Sequence, residues 1–280
     1  MKYYKIKSFA KINLYLGIIS KMRNKMHKIE SIVFFCDLYD LIKIRVSNNN
    51  NHLIKFDGKF SKGLNKKNNI KQLLDLLDLR NLLKDKKFDI KITKNIPQQS
   101  GMGGGSMNVA NILIFLIKKK FLKLSHKELN KTCYRIGSDV VLGLNKKQKL
   151  LRNFDDIMNI KKKLAYYLLI LKPNFGCDSA EIYKNIKNYS KPKFKKRSIV
   201  ISSNTKNYSN DLESVAIKKY PILKKIKKNL LKLPNILDVK MTGSGSAFVG
   251  YFNTKKDLRH GTKIIRKLYK NYWSIESKSI

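Results

Sequence analysis

The chain has 280 residues, 42% of them hydrophobic, with 61 Lys and Arg against 19 Asp and Glu, for a formal net charge of +42. That apolar content supports a core and excludes a chain disordered throughout, and the length fits one large or two ordinary domains. The longest nearly unbroken apolar stretch, Val109 to Ile117, falls well short of the roughly 18 residues a membrane span needs. Met1 to Ser8 lacks the apolar run of a secretory signal, so a cytoplasmic protein without membrane attachment is expected. Cys36, Cys133 and Cys177 are scattered, as are His27, His52, His126 and His260, which predicts neither a disulfide framework nor a protein-built metal box. Arg occurs at only eight positions, whereas readers of nucleic acid favour its planar fork. The charge is Lys spread among Asn and Ile, three residues with AT-rich codons, so compositional drift explains it without a specific nucleic-acid partner.

In chain order, Tyr3 to Ser8, Ile12 to Ile19, Ile29 to Cys36 and Leu41 to Val46 read as strands of an opening β-meander. Leu53 to Phe56 could add a short strand before the polar connection from Gly58 to Asn69. Ile70, Leu73, Leu74, Leu77 and Leu79 then predict a helix, with Asn69 placed to cap it. Phe88, Ile90 and Ile92 alternate with Asp89, Lys91 and Thr93 as a half-buried strand ending at Pro97. A glycine cluster leads into a helix with the apolar face Val109, Leu113, Leu116 and Ile117, closed by Lys118 to Lys120 at its negative pole. Ser125 and Glu128 have capping-box spacing, predicting a helix that runs to Gly137. Ser138 or Asp139 could cap the short helix that follows.

Leu164 to Leu171 reads as a buried strand, and a domain boundary is expected before it, near residue 160. Beyond it, Ser179 can cap a helix through Tyr183, Asn210 or Asp211 one through Lys219, and Pro221 opens another. Lys191 to Lys196 reads as a solvated basic linker. Val239 to Met241, a glycine turn, Ala247 to Phe252 and a helix from Thr254 through Tyr269 complete an α+β chain.

The strongest chemical signal is Pro97-Gln98-Gln99-Ser100-Gly101-Met102-Gly103-Gly104-Gly105-Ser106-Met107, between a strand and a helix. Glycines let backbone wrap an anion, and the helix start offers unpaired N–H groups to it. The loop lacks the Gly-Lys-Ser/Thr ending of a Walker loop, and Ser106 breaks the dinucleotide pattern. A second turn, Thr242-Gly243-Ser244-Gly245-Ser246, is explained equally by a hairpin. Together the two would grip one anionic ligand between domains. Lys11, inside an apolar strand, reads by itself as an exposed face residue, and Asp139 as a helix cap. Yet phosphoryl transfer to an alcohol needs a carboxylate for the hydroxyl proton and a cation for developing charge, and these two supply that pair.

Ala10-Lys11-Ile12-Asn13-Leu14, the Pro97 to Ala110 loop, Gly137-Ser138-Asp139-Val140 and Thr242-Gly243-Ser244-Gly245 resemble the GHMP small-molecule kinases in order and spacing. His27, Asn68-Asn69-Ile70, Lys196-Arg197-Ser198 and Ser209-Asn210-Asp211-Leu212-Glu213 extend the resemblance over nearly the whole chain. It implies an α+β, two-domain fold with the active site in the inter-domain cleft, residues 1–160 forming the ATP-binding domain and 161–280 the C-terminal one. The branch it favours uses ATP and Mg2+ to phosphorylate the 2-hydroxyl of a cytidine diphosphate-linked methylerythritol on a route to isoprenoid precursors, as a monomer or homodimer. Homoserine- and mevalonate-type kinases are the alternatives within the family, and a basic nucleic-acid-binding protein with structural glycine loops is the alternative outside it.

The resemblance further implies Asp139 as general base and Lys11 as its cationic partner. It places the ATP phosphates on Pro97, Gln98, Gln99, Ser100, Gly101, Met102, Gly103, Gly104, Gly105, Ser106 and Met107, with Asn69 toward the adenine. Substrate contacts fall on Asn13, His27, Tyr183, Thr242, Gly243, Ser244 and Gly245, with Tyr183 stacking on cytosine. Met26, Met107, Phe9, Val141 and the glycine-free Leu150 to Asp156 depart from the family's pattern. Met26 replaces an aromatic residue before the histidine, and Met107 a small hydroxyl residue.

Overall fold

The computed structural model describes residues 2–22, 26–64, 68–153, 156–161, 163–194 and 201–280. By its contacts the chain divides into two compact units built from interleaved pieces. The first takes Met1–Ala10, Leu38–Gln98 and Gly103–Lys146; the second takes Lys11–Asp37, Gln99–Met102 and Lys147–Ile280. These units follow spatial contact and so do not coincide with a single cut in sequence at residue 160. Two long strands, β1 (Tyr4–Lys21) and β2 (His27–Val46), pair with each other and give residues to both units. Each joins two segments that the sequence pattern separates, because Phe9 to Lys11 and Asp37 to Asp40 stay extended where the alternation lapses.

In the first unit, the second half of β2 runs antiparallel to β4 (Phe88–Thr93), and β3 (Leu53–Asp57) pairs parallel to β4. The meander therefore stops after two strands. The β3-to-β4 connection carries helix α1 (Asn69–Leu79), which a parallel pair requires room for. Ile42 faces Ile92 and Ile44 faces Ile90 across the ladder, and all four are buried. Asp89, expected on a solvent face, is buried as well, because Arg45 lies opposite and closes on it at 2.8 Å. Asn68, one position before the expected residue, caps α1 by accepting from Lys71 N at 2.8 Å. Helix α1 packs Ile70, Leu73, Leu74 and Leu77 into one core with Val109, Ile112, Leu113 and Leu116 of α2 (Gly104–Lys118). Helix α3 (His126–Ile136) forms the expected capping box between Ser125 and Glu128 and ends at Gly137. A 3-10 helix, Val140–Leu144, follows.

The six-stranded sheet that holds β3, β4, β2 and β1 continues into the second unit, which also has a separate sheet of its own. The start of β2 pairs antiparallel with β5 (Lys149–Asn153), and β5 with β6 (Asp156–Asn159). The pattern missed both strands because Lys149 and Arg152 break the apolar run. Residues 154 and 155, inside the segment that lacks the family's glycines, lie outside the described residues. The second sheet is antiparallel and four-stranded. Its members are β7 (Tyr167–Lys172), β8 (Asp238–Met241), β9 (Phe248–Phe252) and β10 (Trp273–Lys278), in the order β10-β7-β9-β8. Strand β10 was unforeseen, since its polar, half-buried residues carry little apolar signal. Helices α4 (Ser179–Lys184), α5 (Asp211–Lys219), α6 (Ile222–Leu231) and α7 (Lys255–Leu268) accompany it. Their apolar faces share a core with Leu169, Leu171, Val239 and Phe248. Of the basic linker, residues 195 and 196 lie outside the described residues, as do 197 and 198 of the family-like segment. Its preceding part is tied down, with Lys193 N donating to Glu30 at 2.7 Å and Phe194 packed edge-on against Tyr15. Among the described residues no helix is long and apolar enough to cross a membrane.

Lys149 is 2% exposed, donates to the Lys147 carbonyl at 2.8 Å and sits 5.0 Å over the Phe35 ring. Burial lowers its pKa from 10.5 to about 7. The folded protein therefore sheds this proton near pH 7, whereas the unfolded chain keeps it to about 10.5, so unfolding takes up a proton in that window and stability rises with pH. Lys149→Met is expected to remove that rise and to unfold at higher urea than the parent at pH 7. Parallel pH slopes for the two proteins would refute the assignment.

Candidate active site

The glycine loop is held by chemistry that differs along its length. Gln98 donates from Nε2 to the carbonyls of Phe60 and Lys62, both at 2.8 Å. Gly101 has φ +76°, and a Cβ there would lie 1.9 Å from the Thr242 carbonyl oxygen. A Cβ on Gly243, φ +54°, would lie 2.6 Å from the Gly101 oxygen. Ser246 N and Ala247 N donate to the carbonyls of Gln99 and Ser100 at 3.2 and 3.3 Å. The two glycine turns thus pack backbone against backbone within the second unit. Glycine is needed at 101 and 243 for that approach, whatever else the turns bind.

The other glycines behave differently. Gly103 adopts φ +67° as the N-cap of α2 and has no side chain to satisfy the first-turn N–H groups. Gly104 is crowded by Ile96 and Lys94, while a Cβ on Gly105 would meet only Asn69 Nδ2, at 4.0 Å. The first turn of α2 is therefore open at Gly105, with the Asn69 amide beside it. Met107 is wholly buried against Gly143, so it packs the core at the position where the resemblance implies a hydroxyl. Ser106 is half-buried, and its hydroxyl lies 3.8 Å from a Cβ built on Gly137. Asp139 heads the 3-10 helix, but its side chain makes no capping bond, so the capping explanation fails. The first unit thus gathers Asn69, Gly103 to Met107 and the 137–139 corner.

Pro97 and Gln98 also fall in the first unit, and the second gathers the rest. Lys11 is only 4% exposed, not a face residue; its Nζ donates to Asn13 Oδ1 at 2.7 Å and its N–H to the Met102 carbonyl at 3.1 Å. Asn13 N donates to Thr242 Oγ1 at 3.1 Å, and Asn13 Nδ2 to Ser31 Oγ at 2.8 Å. Ser244 and Ser179 share a hydroxyl bond of 2.6 Å. Ser179 was expected to cap α4, but Asp178 does so, accepting from Glu181 N at 3.1 Å. That frees the Ser179 hydroxyl to join the helix carrying Tyr183 to the second glycine turn. His27 lies 5.6 Å from the Tyr183 ring centre, and burial together with Lys21 lowers its pKa below 6.5. A neutral imidazole offers one donor and one acceptor, which suits a base edge.

Further residues complete the frame. Asn210, which caps α5 as expected, also donates from Nδ2 to the carbonyls of Met241 and Gly243 at 2.7 and 2.8 Å. Glu213 accepts from Met241 N at 3.0 Å. Asp40, Lys94 and Asn108 form a buried polar cluster at the root of the first loop. Only proximity in the fold reveals that cluster, since nothing in their spacing marks them.

Residues 68–146 match the GHMP kinases N terminal domain family and residues 196–274 the GHMP kinases C terminal family. The chain belongs to the GHMP kinases and is a small-molecule kinase; kinases of this family use ATP. It is 46% identical to the 4-diphosphocytidyl-2-C-methyl-D-erythritol kinase of Pelagibacter ubique (strain HTCC1062), over the full length of both chains. It is 30% identical to the like-named enzyme of Thermoanaerobacter pseudethanolicus, covering 96% of this chain and 94% of that one. Among solved structures, a 4-(cytidine 5'-diphospho)-2C-methyl-D-erythritol kinase superimposes with a TM-score of 0.78 at 19% identity, covering 99% of this chain and 100% of that chain. Homoserine kinase from Cytophaga hutchinsonii gives 0.68 at 15%, covering 100% and 95% respectively. These two structural likenesses speak to fold.

Proposed function

We propose that this kinase transfers the γ-phosphoryl group of ATP to the 2-hydroxyl of 4-diphosphocytidyl-2-C-methyl-D-erythritol, in the cytoplasm, in the non-mevalonate supply of isoprenoid precursors. The observation that carries the substrate assignment is the 46% identity over both full chains to an enzyme of that name. The site residues are consistent with it. In this reading the first-turn amides of α2 and the backbone around Gly103 to Ser106 bind the nucleotide's phosphates, and Asn69 faces the nucleoside side. Asp139 accepts the proton of the 2-hydroxyl as the new O–P bond forms, and ADP leaves with the electron pair of the broken bond. Lys11, oriented by Asn13, offsets the negative charge that develops. Tyr183 stacks on the cytosine and neutral His27 reads its edge; such stacking is typically worth about 1 to 3 kcal/mol.

Mg2+ fits this donor set. It takes hard oxygen ligands and is commonly shared between one or two protein groups and substrate phosphates, and Ser106 presents a hydroxyl beside Gly137. Ser106 would hold it together with the phosphates, and the ion would neutralise charge on the transferred group.

Purified chain with ATP and Mg2+ is expected to release ADP with the cytidine-linked methylerythritol, and to release little with methylerythritol phosphate or homoserine. Release with homoserine alone would move the assignment to another branch of the family. Release with none would remove it.

A further inference from the structure

The polar cluster at the root of the glycine loop is more than core filling. Asp40, in β2, is fully buried, yet among the described residues its carboxylate bonds run to the two chain segments that enter and leave the loop. On the entering side its Oδ1 accepts from Asn95 N at 2.8 Å and Ile96 N at 2.9 Å, directly before Pro97. Lys94 Nζ pairs with its Oδ2, supplying the countercharge a buried carboxylate needs. On the leaving side Asn108 Nδ2, in the second turn of α2, donates to the same Oδ2 at 3.0 Å. Asn108 is itself 1% exposed, and among the described residues no donor reaches its Oδ1. Its amide thus forgoes one bond while serving the carboxylate, the reverse of what a packing role would select.

We propose that Asp40 is a positioning residue for nucleotide binding: one carboxylate fixes both ends of the 97–107 loop and so sets the direction of the α2 first-turn amides toward the phosphates. This rests on the reading of that loop as the ATP phosphate site. On this proposal Asp40, and Asn108 bonded to it, act on the nucleotide through the loop. Preorganisation of this kind acts on affinity for the anion, because an untethered loop must be ordered each time ATP binds.

The test compares the parent chain with Asp40→Asn and Asn108→Ala by equilibrium titration with Mg2+ and ATP, with the KM of the cytidine-linked acceptor and the thermal midpoint measured alongside. Asn108→Ala places the best helix former in α2 and removes an amide already lacking one partner, so it keeps a folded protein available if Asp40→Asn does not fold. Losing a bond to a charged acceptor is expected to weaken ATP binding about tenfold in Asn108→Ala, and more in Asp40→Asn. The acceptor KM should change less than ATP affinity in both. A purely structural role would lower the thermal midpoint and leave the ATP affinity of the folded protein unchanged, and that result overturns the proposal. A larger change in acceptor KM than in ATP affinity overturns it too. If the parent itself binds no ATP, the reading of the loop fails and the clamp with it; if the parent binds and the folded variants match it, only the clamp fails.

Discussion

Asp139→Asn is expected to lower kcat about 1000-fold, within the range that removal of a general base produces, while circular dichroism and the thermal midpoint stay close to the parent's. The expectation of an intact fold comes from the local geometry. Asp139 opens the 3-10 helix at φ −80°, ψ −12° without lending its carboxylate to a cap, and asparagine keeps the same side-chain shape. ATP affinity should change little, because the base acts on the acceptor's proton. Turnover within tenfold of the parent would mean that the hydroxyl loses its proton elsewhere. A collapsed thermal midpoint would mean that the carboxylate serves the fold.

Gly101→Ala is expected to be the most damaging single-methyl change in the chain. The added carbon would sit 1.9 Å from the Thr242 carbonyl oxygen at a φ of +76°, combining backbone strain and overpacking for a loss of about 2 to 6 kcal/mol. Urea titration measures it directly. Gly105→Ala is the informative partner. It meets nothing closer than the Asn69 amide at 4.0 Å and lies in the first turn of α2, so the variant should be as stable as the parent or more so. Weaker ATP binding by a fully folded Gly105→Ala would show that this glycine's space belongs to the ligand. Equal stability of the parent and Gly101→Ala would contradict the close approach of the two turns.

The two glycine turns were legible because each carries an unusual residue type between recognisable elements, whereas Lys11 and Asp139 read by themselves as a face residue and a cap and were singled out only by the family resemblance. What stayed hidden has physical reasons. Strands β5 and β10 lack a two-residue apolar period: Lys149 is buried by contacts from distant chain, and β10 is half-exposed along most of its length. Asn69 looked like a cap because either of two adjacent asparagines could serve, and only backbone dihedrals decide for Asn68. Ser179 read as a cap for the same reason, while its bond to Ser244 depends on residues 65 positions apart. Asp40 sits in an apolar strand as one more polar residue, and its four donors come from segments 54 to 68 positions away. Sequence pattern reports local period; it is silent on which distant groups a buried carboxylate will meet.

The interleaving of the two units bears on the order in which a ribosome could complete them. Every residue of the first unit has been synthesised once Lys146 is added, but Lys11–Asp37 belongs to the second. That early segment, with Ile12, Leu14, Leu16 and Ile18 all destined for burial, must wait for partners made much later. The edge strand of the four-stranded sheet, β10, is made after all of its sheet partners, and Ile280 N bonds back to the Phe35 carbonyl. Nascent chains stalled between those points would leave those apolar side chains and the β10-facing edge of β7 uncovered, the kind of surface that chaperones exist to shield.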